Sequence, residues 1–327
     1  MLSTTIVTQQ KADTSSASLS SVDKPRYTSK VLTLSSMNSR IREMEYAVRG
    51  AIPIRAEELR VQLQKAPGSL PFDKITPCNI GNPQQLEQKP LTFLRQVSAL
   101  MEYTDLLKPE MIDTTRKLFP EDAIERARRN LGYVNSAVGA YTHSLGIQEI
   151  REDVARFIEE RDGASGAVER VLDVLIAHDN VGIMIPIPQY PLYTATLTHM
   201  AGKAVPYYLQ EDKDWGLSIT DLKKALDEAR ANGTEVRALV VINPGNPTGG
   251  SLTAENIAEI VQFCEREHLV ILADEVYQTN IYTETNPFVS FKKVVSELHS
   301  NAELFSFHSI SKGMIGECGR RGGYYEA

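Results

Sequence analysis

The stretch Arg237-Ala238-Leu239-Val240-Val241-Ile242-Asn243-Pro244-Gly245-Asn246-Pro247-Thr248-Gly249-Gly250 runs from an apolar segment into a turn of asparagine, proline and glycine. The apolar segment, residues 237–242, reads as a strand that the prolines and glycines close. Thr253 follows as a helix cap. Ile257, Ile260, Val261 and Cys264 then fall on one helical face, and Leu252 is placed to staple onto Ile257. Outward from this unit the alternation continues. Residues 181–185, 204–209, 269–273 and 303–307 read as further strands. A helix with Thr220 as N-cap and Leu222, Ala225, Leu226 and Ala229 inward ends at Gly233. Strand and helix in turn predict an α/β fold: a mostly parallel sheet covered by helices on both faces, in three layers.

Towards the N-terminus the signals are mostly helical. A helix is expected over residues 40–64, ended by Pro67-Gly68, and another over 91–100; between them a short strand from Ile75 runs into the glycine turn at Gly81. The loop Gly139-Ala140-Tyr141-Thr142-His143-Ser144-Leu145-Gly146 precedes a helix with Ile147, Ile150, Val154, Phe157 and Ile158 on one face. A second apolar stripe, Val168, Val171, Leu172, Leu175 and Ile176, follows Gly163-Ala164-Ser165-Gly166. Residues 1–36 are rich in Ser and Thr and poor in large apolar side chains, so disorder is expected there.

A chain of 327 residues, 42% hydrophobic and 24% charged, has the composition of a folded globular protein. A net charge of -7 without any basic run excludes a nucleic-acid footprint. No apolar stretch is long enough to cross a bilayer. Cys78, Cys264 and Cys318 make neither a metal spacing nor an even disulfide set, which is the usage of an intracellular protein. The cytoplasm is the expected compartment. The mitochondrial matrix is the alternative, since residues 1–36 hold few acidic side chains, although no arginine precedes Arg26.

Chemistry-bearing residues gather after the strands. Asn246 follows one strand, Asp274 and Tyr277 the next, and Ser309-Ile310-Ser311-Lys312-Gly313 the last. In open α/β sheets ligands collect beyond the carboxyl ends of strands. A lysine past a strand, among small hydroxylated residues and glycines, suits a Schiff base; its plainer reading is a surface lysine in a turn. A carboxylate at a strand end needs a cation, which a protonated pyridine nitrogen supplies; an N-cap or a salt bridge would do the same. Tyr277 and Asn246 can reach a phenolic oxygen or serve as turn residues, and Tyr190 can stack on a ring or simply pack. Together these are the parts that an enzyme built on pyridoxal phosphate requires. His143, His308 and Cys318 keep structural readings.

The chain resembles the class I/II, fold type I, pyridoxal-phosphate-dependent aminotransferases. The resemblance is carried by Asn243-Pro244-Gly245-Asn246-Pro247-Thr248-Gly249, Ala273-Asp274-Glu275-Val276-Tyr277 and Ser309-Ile310-Ser311-Lys312-Gly313. Four further stretches are similar to the alanine aminotransferase group: Asn79-Ile80-Gly81-Asn82-Pro83-Gln84, Gly139-Ala140-Tyr141-Thr142, Ile187-Pro188-Gln189-Tyr190-Pro191-Leu192-Tyr193 and Gly316-Glu317-Cys318-Gly319. The resemblance implies that Lys312 bonds the cofactor and then shuttles a proton, that Asp274 pairs with the pyridine nitrogen, and that Asn246 and Tyr277 hold the phenolic oxygen. It further implies phosphate binding by Ala164, Ser165, Ser309 and Arg321, ring stacking by Tyr190, and a homodimer in which Tyr141 reaches the neighbouring subunit's phosphate. The substrates implied are amino acids and 2-oxo acids, with alanine and 2-oxoglutarate foremost. Alternatives are a glutamate:glyoxylate or aromatic aminotransferase, a related lyase, or a non-catalytic fragment.

Domains implied by the resemblance are an N-terminal arm with part of a small domain over 37–110 and a large cofactor-binding domain over 111–327. Two departures accompany it. Relatives place a strand and turn between the helix ending near Arg161-Asp162-Gly163 and the phosphate loop, whereas here the two are fused. The sequence also stops at Ala327, where relatives continue into the small domain that carries a substrate-binding arginine. The expectation is a fragment or a faulty gene model with an internal deletion, inactive or unstable as written.

Overall fold

The computed structural model describes residues 38–45, 50–134, 138–142, 146–161 and 168–326. The chain divides into two units, Met1–Arg42 and Glu43–Ala327. Of the first, the described residues hold only most of the short helix α1 (Ser39–Glu43). The segment expected to be disordered, 1–36, lies outside the described residues, as does the fusion at Gly163.

The second unit opens with helices α2 (Ala51–Lys65), α3 (Thr92–Glu102), α4 (Ile112–Thr115), α5 (Glu121–Tyr133) and α6 (Gln148–Arg161). It continues as α7 (Val168–Leu175), β1 (Val181–Ile187), α8 (Leu192–Met200), β2 (Lys203–Tyr208), α9 (Ile219–Ala231), β3 (Glu235–Ile242) and α10 (Ala254–Glu267). Then come β4 (Val270–Asp274), α11 (Phe291–Glu297), β5 (Leu304–Ser309) and β6 (Gly323–Glu326). The strands form one sheet in the order β2-β1-β3-β4-β5-β6. All neighbours pair in parallel except β5 and β6, which are antiparallel.

Alternation along each strand divides the core. Met184, Leu239, Val241, Ile271 and Ala273 face Leu222 and Leu226 of α9, Ile257, Ile260 and Val261 of α10, and Phe291 and Val294 of α11. Ile183, Ile185, Ala238, Val240 and Leu272 face Val171 and Leu172 of α7 and Tyr193 and Leu197 of α8. Side chains of period two between helices on both faces make the three layers that the strand and helix alternation predicts. A separate small core joins Val97 and Leu100 of α3 to Ala123, Ile124 and Ala127 of α5. The chain leaves β1 for β2 on one side and returns to β3 on the other, so the sheet has its switch point between the carboxyl ends of β1 and β3.

Some local expectations are corrected. No strand forms at Ile75: residues 74–78 have no regular secondary structure and lie outside the sheet. Pro77 lacks an N–H there, which removes one of the donors that a ladder needs. The N-terminal helix is two pieces, α1 and α2. The cap of α9 is Ser218, whose hydroxyl accepts from the Asp221 amide at 3.2 Å, and Thr220 lies inside the first turn. Within the α6 stripe, Ile150 and Phe157 are about half exposed. Strand β6, made from Gly-Tyr-Tyr-Glu, carried no sequence signal of its own.

Thr253 caps α10 as its spacing predicts, accepting from the Asn256 amide at 3.2 Å, with Leu252 and Ile257 in the same core. Thr253→Ala leaves that amide unsatisfied. The expected cost is about 1 kcal/mol, read in a thermal melt as a loss of about 2 °C.

Candidate active site

Asp274 is the last residue of β4 and projects beyond the sheet. Its Oδ2 accepts from the Tyr193 hydroxyl at 2.8 Å, and its Oδ1 makes a long contact of 3.4 Å with the Val276 amide. Although Asp274 keeps some contact with solvent, desolvation pushes its carboxyl above the usual range, and these two donors pull it back only in part. Among the described residues no cation pairs with it. Tyr193 is itself buried, and burial together with the nearby carboxylate raises its hydroxyl well above the ordinary value, so it remains a donor.

Asn246 and Tyr277 meet across the strand ends. Asn246 Nδ2 donates to the Tyr277 hydroxyl at 3.1 Å. Burial pushes that phenol up to about 12, with the Asp274 charge adding to the effect and the Asn246 bond opposing it. The turn bearing Asn246 is built by its own residues: Gly245 N–H donates to Gly250 O at 2.8 Å, and Gly249, at φ +74°, donates to Gly245 O at 2.9 Å. A side chain at Gly245 would collide with the Thr248 hydroxyl. Behind the turn, Asn243 is fully buried and its Oδ1 accepts from Leu252 N at 2.9 Å, which ties the turn to the start of α10.

Lys312 stands beyond the end of β5, the strand beside β4. Its Nζ donates to Gly81 O, and a Cβ on Gly81 would sit 2.8 Å from that nitrogen. A side chain at position 81 would therefore oblige the lysine tip to shift. Partial burial lowers the lysine below its ordinary value, against a smaller opposing effect of Cys318. The neighbouring glycine, Gly313, donates to Asn280 Oδ1 at 3.1 Å, and Asn280 N–H donates to Tyr277 O at 2.8 Å. Asn280 thus pins the lysine loop to the turn carrying Tyr277.

The remaining expected residues fall as follows. Ser309 Oγ donates to Gly322 O at 3.2 Å and lies 2.9 Å from Ser311 Oγ, whose own hydroxyl can donate to it. Arg321, in the left-handed region at φ +56°, is exposed and donates to Cys318 O at 2.9 Å. Tyr190 follows β1, partly buried and close enough to Tyr193 to influence its hydroxyl. Tyr141 is fully exposed. Ala164 and Ser165 lie outside the described residues. Asn246, Tyr277 and Asp274 form one cluster at the strand ends, whereas the side chains of Lys312, Ser309 and Arg321 each bond other partners, with no direct hydrogen bond or ion pair to that cluster or to one another.

Sequence reasoning missed three partners: Tyr193 as the donor to Asp274, Asn280 as the link between the turns, and Arg95 as the cation on Glu317. Tyr193 belongs to a stretch singled out for its motif. Which of its tyrosines turns inward depends on the phase of α8, and that helix has no clear apolar stripe.

The residues present fit pyridoxal phosphate at Asp274, a desolvated carboxylate at the carboxyl end of β4 with neutral donors only. The protein-family description "Aminotransferase class I and II" matches residues 109–326. Alanine aminotransferase 2 of Panicum miliaceum is 49% identical, over 90% of this chain and 64% of that protein. The probable mitochondrial alanine aminotransferase of Dictyostelium discoideum is 48% identical, over 91% of this chain and 59% of that one. The chain thus spans less than two thirds of either relative's length. A solved alanine aminotransferase from Pyrococcus furiosus superposes with a TM-score of 0.64 at 21% identity, over 88% of this chain and 63% of that structure. That likeness establishes the fold. Motif order, three-layer sheet and sequence identity agree, and the chain belongs to the class I and II aminotransferase family.

Proposed function

We propose that this chain carries the cofactor-binding part of a pyridoxal-phosphate-dependent transaminase that moves the amino group of L-alanine to 2-oxoglutarate, giving pyruvate and L-glutamate. The observation that supports it most is Asp274, whose charge lacks a cationic partner among the described residues and is provided with one by a protonated pyridine nitrogen. When bound, the cofactor supplies the electron sink for the substrate's α-carbon.

The residues divide the work. Asp274 holds the proton on the pyridine nitrogen, and Tyr193 holds Asp274 in place. Asn246 and Tyr277 hold the phenolic oxygen, as a pair already in contact. Lys312 would supply a nucleophilic amine, since burial favours its neutral form, and Nζ, freed when the substrate's amine displaces it, would take the proton from the substrate's α-carbon. Ser309 and Arg321 hold the phosphate, Arg321 after leaving the Cys318 carbonyl, and Ala164 and Ser165 complete that site. Tyr190 stacks on the ring. Tyr141, exposed in the single chain, reaches the phosphate of the neighbouring subunit in a homodimer.

Alanine as the amino donor rests on the names of the relatives. Incubated with pyridoxal phosphate, the chain is expected to develop a visible absorption band; bleaching of that band by alanine and its restoration by 2-oxoglutarate would support the substrate assignment and overturn the expectation that the chain is inactive as written. Bleaching by aromatic amino acids but not by alanine overturns the substrate assignment; restoration by glyoxylate in preference to 2-oxoglutarate moves it to glutamate:glyoxylate transfer. The cytoplasm is the proposed compartment. The name of the Dictyostelium relative makes the mitochondrion its rival, and fractionation of cells expressing the tagged chain decides between them.

A further inference from the structure

The loop that carries Lys312 turns at Gly313 and Gly316, both at positive φ, 61° and 58°, and its own backbone is closed by Gly316 N–H donating to Lys312 O at 3.2 Å and Glu317 N–H donating to Ile310 O at 2.8 Å. Five contacts reach the lysine loop and its flank from one distant segment, residues 81–95. Besides the bond from Lys312 to Gly81 O, Gln84 Nε2 donates to Gly316 O at 3.2 Å and Gln88 Nε2 donates to Met314 O at 3.0 Å. Cys318 Sγ donates to Asn82 Oδ1 at 3.4 Å.

The fifth contact differs in kind. Arg95 Nη2 lies 3.0 Å from Glu317 Oε1 and donates to Oε2 at 3.1 Å, and the Glu317 side chain is only 7% exposed against 38% for Arg95. The same nitrogen donates to Gln84 Oε1 at 3.2 Å, so Gln84 joins the ion pair to the Gly316 carbonyl. Desolvating a carboxylate costs much of what its partner returns, which makes such a pair a poor source of stability and a good source of geometry. Arg95 sits in the first turn of α3, a helix anchored by its own core with α5. The lysine loop is thereby registered on a rigid helix pair as well as on the sheet.

We propose that Arg95 and Glu317, coupled through Gln84, are positioning residues that hold the Lys312 loop in the geometry from which its amine meets the cofactor. The proposal rests on the reading of Lys312 given above, but the pair touches neither cofactor nor substrate. Loosening the loop frees Nζ from the Gly81 carbonyl and exposes it, while making its productive placement rarer.

Two measurements on the full chain test this with R95Q, E317Q and the double variant. The first is competitive labelling of lysines by acetic anhydride without cofactor, read peptide by peptide. The second is the rate at which the visible band forms with pyridoxal phosphate. Lys312 is expected to label faster in each variant while lysines such as Lys65 and Lys223 keep their rates, and the band is expected to form about tenfold to a hundredfold more slowly. The double variant should match the single ones, because the two residues act as a unit.

A merely structural role lowers the melting temperature and leaves both readouts unchanged in the folded chain, and that result overturns the proposal. Should E317Q not fold, R95Q decides alone, since its guanidinium is more than a third exposed. A wild-type band that survives in K312A removes the functional reading instead, and the labelling of Lys312 still judges the positioning.

Discussion

Lys312→Ala is expected to abolish the visible band that forms with pyridoxal phosphate, and with it any bleaching by alanine. The effect is all-or-none because only a neutral primary amine can bond the cofactor's carbonyl. Many lysines on this chain are exposed, and an exposed ammonium is almost wholly protonated near neutral pH. Lys312 differs through its partial burial, which disfavours the charged form and lowers its pKa. The sign follows: band formation accelerates as pH rises and levels off below 10.5, the ordinary lysine value, because the neutral fraction saturates earlier than at a solvated amine. A band that persists in the variant means adventitious attachment elsewhere.

Asp274→Asn is expected to act in opposite directions on binding and on folding. With the cofactor, it removes the charge that pairs with the pyridine nitrogen. Loss of one partner of a desolvated charge pair costs about 2–5 kcal/mol, or roughly thirtyfold to several thousandfold in affinity. Without the cofactor the sign reverses. A carboxyl whose pKa is raised in the folded chain makes its largest contribution to stability at low pH, and that contribution is lost as pH climbs from the unfolded carboxylate value through the folded one. Once ionised, that carboxyl bears its charge among neutral donors only, and asparagine relieves it while still accepting from Tyr193. The cofactor-free melting temperature is expected to hold or rise, whereas the increase that pyridoxal phosphate gives the parent chain shrinks or vanishes. A clear fall in the cofactor-free melting temperature contradicts this account of Asp274.

The fold was legible where local pattern decides it. The strands β1 to β5 are apolar runs ended by proline, glycine or a polar turn, and the cap at Thr253 sits at fixed spacing from its helical stripe. The pairing of Asn246 with Tyr277 was also within reach, because each follows a strand and adjacent parallel strands bring their ends together. What stayed hidden depends on distance or phase. Nothing local says that Arg95 will pair with Glu317, 222 residues away, or that α8 will turn Tyr193 towards Asp274. Thr220 was mistaken for a cap because either hydroxyl in the Ser218-Ile219-Thr220 stretch precedes the apolar stripe, and only the observed start at Ile219 selects Ser218. The α6 stripe of Ile150 and Phe157 has the right spacing for burial, yet a stripe states what could be covered and not what covers it.

The central claim is that the amine of Lys312 bonds a carbonyl held at the edge of the sheet where Asp274, Asn246 and Tyr277 gather. Borohydride reduction of the chain after incubation with pyridoxal phosphate, followed by peptide mass mapping, tests it most directly. The account predicts a stable pyridoxyl group on Lys312, absent from K312A and scarce on D274N at limiting cofactor. A label spread over exposed lysines with Lys312 unmodified would contradict it.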